Sequence, residues 1–188
     1  EAVTDANLTT ETSDHASISD GSTNGYFSGG ATGGPTDEVE KLVFSTEVSA
    51  VNTDAVLNVS REECAGLSEG TTHGYTLTGS GSTTAEKLTF STDDHAYATD
   101  ADAPHVHSIG ATGMSDGIDG YQIGGYTGAS YSDKAYKIVL ATDVRTAETD
   151  ANLSVGRNAP TGTSDGSTNA YIGGGSSAAS SHDLTMDM

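Results

Sequence analysis

Within nine consecutive residues near the middle of the chain stand Tyr126, Tyr131, Asp133 and Lys134. Aromatic surface beside hydrogen-bonding and charged groups suits the stacking of a sugar ring or contact with another protein, so these four are the candidate ligand- or partner-binding residues. Two other sets could bear chemistry. His105 and His107 alternate, so on a strand they share a face and form a candidate transition-metal pair, but no third ligand has a place defined by the sequence. Ser-Asp-Gly turns at Asp20, Asp116 and Asp165, with Glu69 in the second copy, offer carboxylates; Ca²⁺ takes roughly six to eight oxygens, and each turn supplies one carboxylate or two. The single cysteine, Cys64, allows no intrachain disulfide and supports no metal motif. No nucleophile, base and acid fall into a catalytic pattern, so the expectation is a protein without catalysis, cofactor or metal.

The candidate stretch belongs to a repeat. TSDGSTNAYIGGGSS at Thr163–Ser177 restates ISDGSTNGYFSGGAT at Ile18–Thr32, with weaker copies starting at Leu67 and Met114. Tyr26, Tyr75, Tyr121 and Tyr171 are spaced 49, 46 and 50 apart, and the Thr-Asp-Ala triplets at Thr4, Thr53, Thr99 and Thr149 keep the same spacing. Lys41-Leu42-Val43-Phe44 is echoed at Lys87 and Lys137, and a fourth copy, Asp183 to Asp187, stops at the chain end. Its expected continuation is found at Thr4 to Leu8, so the repeat is circularly permuted, and joining the two ends leaves it only three residues short. The expectation is one domain over residues 1–188, four repeats of about 47 residues, with the last built from about 159–188 plus 1–9.

Seven lysines and arginines against 27 acids leave a formal charge of −20, which repels phosphate backbones and anionic membranes and suits salty surroundings, where screening weakens self-repulsion. At 34% hydrophobic residues the composition alone leans toward disorder, but the repeat overrules that reading. No apolar run approaches the roughly 20 residues of a membrane span, so membrane insertion is not expected.

Period-two runs such as Leu42-Val43-Phe44, bounded by Gly, Asp, Ser and Asn, are strand and turn chemistry, four strands per repeat. The Ser-Asp-Gly turns join adjacent strands, with the acid bonding its own backbone and Gly21, Gly70, Gly117 and Gly166 free to take positive φ. The next strand begins at the tyrosine, and the fourth strand is expected in segments such as Leu57-Asn58-Val59-Ser60-Arg61. The stretches of small residues before the turns, Ala16-Ser17-Ile18, Cys64-Ala65-Gly66, Ile109-Gly110-Ala111 and Pro160-Thr161-Gly162, are expected as strands, with Cys64 as a buried small residue. The sequons at Asn7, Asn58 and Asn152 and the lysines Lys41, Lys87 and Lys137 occupy equivalent repeat positions and read as strand alternation and edge solvation.

Small-residue strands, GYFSGG, GYQIGGY and AYIGGG, then KLVFST and KLTFST, then LNVSR and LSVGR resemble the kelch-type β-propeller blade. More closely, the pattern is similar to kelch-like repeats of structural and tail-fibre proteins of marine bacteriophages, over the whole chain. The resemblance implies an all-β, four-bladed β-propeller of four-stranded blades. Pairing of the N- and C-terminal strands closes its ring; several chains sharing a larger ring or a fibre is the alternative. The blade's usual tryptophan is absent, Gly-Gly is Thr78-Gly79 in the second repeat, and the arginine position holds Thr12 and His107 in two copies.

The function the resemblance implies is that of a non-catalytic virion structural or attachment protein, displayed in several copies and binding another virion protein or a host-surface glycan or protein. The alternative is a secreted or cell-surface, lectin-like or adhesin-like module; either reading puts the protein on a virion or outside the cell. Between the Gly-Gly position and the Leu or Ile of the next strand lie 11, 8, 12 and 8 residues, and such length variation marks the loops free to acquire function. The longest carries Tyr126, Tyr131, Asp133 and Lys134.

Overall fold

The structure, a computed structural model, describes residues 6–80, 82–104, 109–165, 168–178 and 186–187. It is all-β. Strands β1 (Ala16–Ser19), β2 (Asn24–Ser28), β3 (Val39–Val43) and β4 (Val48–Val51) form one antiparallel meander. A second follows from β5 (Ala65–Ser68), β6 (His73–Leu77), β7 (Ala85–Thr89) and β8 (Asp94–Tyr97), and a third from β9 (Thr112–Ser115), β10 (Asp119–Ile123), β11 (Ala135–Val139) and β12 (Val144–Ala147). The last part holds β13 (Arg157–Asn158), β14 (Thr161–Ser164), β15 (Ala170–Gly173), β16 (Ser176–Ser177) and β17 (Met186–Asp187); β14, β15 and β17 form a sheet, and β13 pairs with β16.

The repeat written in the sequence is a repeat of register. Ile18, Tyr26, Lys41 and Ala50 lie opposite one another across the first sheet; Leu67, Tyr75, Lys87 and Ala96 do so in the second, and Met114, Tyr121, Lys137 and Thr146 in the third. In the fourth, Thr163 faces Tyr171. The turns that set this register are local. Asp20 Oδ1 accepts the backbone N–H groups of Ser22, Thr23 and Asn24 at 2.7–2.9 Å, and Gly21 takes φ +78°. Asp116 and Asp165 repeat the motif, and the longer Glu69 side chain instead binds Thr72 Oγ1 and His73 Nδ1.

The outermost strand is not where the sequence pattern puts it. β4, β8 and β12 occupy the stretches before the triplets at Thr53, Thr99 and Thr149, and the Leu57–Arg61 segment crosses instead to the following sheet. There Leu57 is buried, Asn58 and Val59 donate their N–H groups to Glu86 of β7, and Arg61 Nη2 reaches Glu86 Oε1 at 2.5 Å. Thr9 and Thr10 donate in the same way to Glu40 of β3. Of the expected closing strand, residues 1–5 lie outside the described residues, and residues 6–9 form no strand. The triplets themselves turn as short 3₁₀ segments at Thr99–Ala101 and Thr149–Ala151.

The inner strands abut in chain order, β1 on β5, β5 on β9 and β9 on β14. Glycine permits the approach: a Cβ on Gly66 would lie 2.4 Å from the Ser17 carbonyl oxygen, and one on Gly113 2.2 Å from that of Gly66. The third and fourth inner strands begin later than expected, at Thr112 and Thr161, and Cys64 stands half-buried just before β5 rather than within it. Each junction between sheets has its own apolar cluster, around Ile18, Leu57 and Phe90, then Leu67, Ile138 and Leu140, then Met114, Leu153 and Ile172.

A polar rivet accompanies the first two clusters. Tyr26 stacks on Phe90 with ring centroids 5.4 Å apart, and its hydroxyl and Lys41 Nζ both donate to Asp93, at 2.9 and 2.7 Å. At the next junction Tyr75 and Lys87 donate to Asp143, at 2.6 and 3.0 Å, beside Leu140. Burial, followed by the neighbouring aspartate, holds both phenols well above their usual range, so the tyrosines remain donors.

Candidate functional site

The loop after β10 is shaped by backbone pairing. Tyr126 makes an isolated β-bridge to Ile109 on one side and to Tyr131 on the other, so residues 126–131 form a tight excursion instead of an open loop. Inside it, Thr127 Oγ1 accepts the Ser130 N–H, and the Tyr126 hydroxyl donates to the Gly128 carbonyl at 2.9 Å. The bridge brings the two predicted tyrosines together: their ring centroids lie 5.7 Å apart at 59°. The first repeat builds the same excursion with Ala31 bridged to Ser13 and Pro35, but without aromatic side chains.

Tyr126 and Tyr131 wall a groove of about 480 Å³ with Ala129 and Ser130, and Val155, Gly156 and Ala178 complete it. The groove is therefore made by two repeats. Gly156 is required there, because a Cβ would meet the Tyr131 carbonyl oxygen at 2.4 Å. The sequence reading missed Val155, Gly156 and Ala178; the signal for Gly156 was its position one residue before Arg157, where the other copies have Glu11, Ser60 and Val106. Arg157 is buried and anchors this wall, donating to the Gly174 carbonyl and pairing through its backbone with Ser177.

Asp133 and Lys134 are close in sequence but do not line the groove. They pair with each other in solvent, Nζ to Oδ1 at 3.0 Å, where an exposed ion pair contributes little to stability. The arrangement offers two aromatic faces and a largely apolar wall that carries the Ser130 hydroxyl. Such a surface can stack on the apolar face of a sugar ring or bury a protein side chain; it brings no nucleophile and base together.

The other predicted candidates have other roles or lie elsewhere. The Asp20 carboxylate is enclosed by donors from its own turn, including the Thr23 hydroxyl and Asn24 Nδ2 at 2.9 Å; burial opposes its charge, but these hydrogen bonds outweigh it and lower its pKa. His105 and His107 lie outside the described residues. Burial pushes the Cys64 thiol up to about 11, which makes it a poor nucleophile. A second recess of about 270 Å³ separates the third and fourth sheets, with Met114, Ile123 and Ile172 among its apolar walls and Tyr121, Asp116 and Asn152 among its polar ones. No family model matches the chain, and no curated protein matches it in sequence.

Proposed function

We propose that the protein is a non-catalytic structural and attachment component of a bacteriophage particle, whose sheets act as blades of a kelch-like β-propeller and whose Tyr126–Tyr131 groove binds another virion protein or a host-surface glycan. The phage assignment is supported by the resemblance of its repeats, the binding role by the groove. The single observation that carries the binding role is the aromatic pair, held at 5.7 Å by backbone bridges and walled by the next repeat, since a preorganised aromatic site loses little freedom on binding. The experiment is a panel of bacterial surface polysaccharides and purified virion proteins probed with the wild-type chain and with Tyr126→Ser/Tyr131→Ser. Selective binding that the double variant loses, with its circular dichroism unchanged, supports the reading. Binding that survives the double substitution refutes it.

A further inference from the structure

The two ends of the row of sheets carry the two halves of a junction that the interior has already made twice. In the interior, a sheet offers its Tyr26 or Tyr75 to the Phe90 or Leu140 of the following sheet, and the hydroxyl goes to Asp93 or Asp143, each in a left-handed turn with φ near +60°. The first sheet carries the receiving half of that set with no sheet before it among the described residues: Phe44 is 41% exposed, and Glu47 holds the same left-handed turn at φ +56°. The fourth carries the offering half: Tyr171 is 37% exposed, where Tyr26 and Tyr75 are fully buried. Phe44 already lies over Gly25 of its own sheet, as Phe90 lies over Gly74, so the ring is oriented for the missing partner.

We infer that these end faces join head to tail between copies of the chain, Tyr171 of one copy stacking on Phe44 of the next and donating its hydroxyl to Glu47. The contact is heterologous, and repetition gives a ring or a filament according to the angle of each step. It goes beyond the groove reading and does not depend on it. Two residues make it looser than the interior junctions. Ser17 stands where Gly66, Gly113 and Gly162 allow close approach, and Thr163 replaces Ile18, Leu67 and Met114. With −20 on every copy, association is favoured by screening salt.

Sedimentation velocity of the full chain in about 0.5 M NaCl tests this. Wild type should associate progressively with concentration. Phe44→Ser and, as a milder change on an exposed turn, Glu47→Ala should each weaken association by about tenfold or more, as should Tyr171→Ser. Because each variant spoils only one face, mixing Phe44→Ser with Tyr171→Ser should give dimers and nothing larger. Ser17→Gly, which removes the obstructing Cβ, should tighten association. A wild type that remains monomeric throughout, or variants that associate as it does, overturns the inference. So does a monomer whose Phe44→Cys/Tyr171→Cys form, in a Cys64→Ser background, closes a disulfide within one chain.

Discussion

Arg61 and Glu86 meet with neither side chain exposed to solvent, and Arg61 also donates to the Thr78 and Thr84 carbonyls. Removing one partner strands the other, so Arg61→Met should cost about 3–5 kcal/mol in urea unfolding, far more than any exposed pair. His95 sits beside this pair, with Nδ1 on the Ala55 carbonyl, and burial holds its imidazole below the ordinary value of 6.5. The unfolded chain therefore takes up a proton in a pH range where the folded one does not, and stability falls as pH drops below that value. Glu63 works the other way over the carboxylate range, since burial and then Asp14 and Glu62 raise it. The melting temperature should fall between about pH 7 and pH 5.5, and His95→Gln should flatten that slope. An unchanged slope in the variant would assign the effect to other groups.

The turns and the tyrosine-bearing strands were legible because their chemistry is local, although the strands begin one or two residues before the tyrosine: Asp20 binds its own backbone, and Gly21 takes a left-handed conformation. The outer strands were not, since β8 and β12 are exposed along most of their length and show no alternation to read. The Leu57–Arg61 segment looked like a strand because Leu57 and Arg61 are buried, but it is buried as a crossing on the next sheet. Likewise, the proximity of Tyr126 and Tyr131 could be anticipated from one loop, whereas Val155 and Gly156 come from a segment more than 20 residues further on and Ala178 from the next repeat. Inner-strand packing makes a sharp prediction. Gly66→Ala would press a methyl group on the Ser17 carbonyl and should destabilise by about 1–3 kcal/mol in thermal or urea unfolding, while Gly34→Ala, with no atom in reach and no left-handed φ, should show no such steric cost. Equal effects would argue against the close abutment of β1 and β5.

At the scale of the molecule, a charge of −20 on 188 residues opposes compaction, so stability should rise with monovalent salt. Calcium should add little beyond its ionic strength, because the turn carboxylates already accept hydrogen bonds from their own backbones; a large saturable rise in melting temperature at sub-millimolar Ca²⁺ would reassign them as ligands. The proposed binding role rests on the excursion at residues 126–131, which pairs two aromatics. The most direct test is surface plasmon resonance with the glycan or virion protein selected by the panel, comparing Tyr126→Ser/Tyr131→Ser with the turn variant Asp20→Asn/Asp116→Asn/Asp165→Asn. Loss of about tenfold or more in affinity for the groove variant, with the turn variant binding as wild type, is the predicted result. Undiminished binding by the groove variant alongside loss in the turn variant would contradict the account.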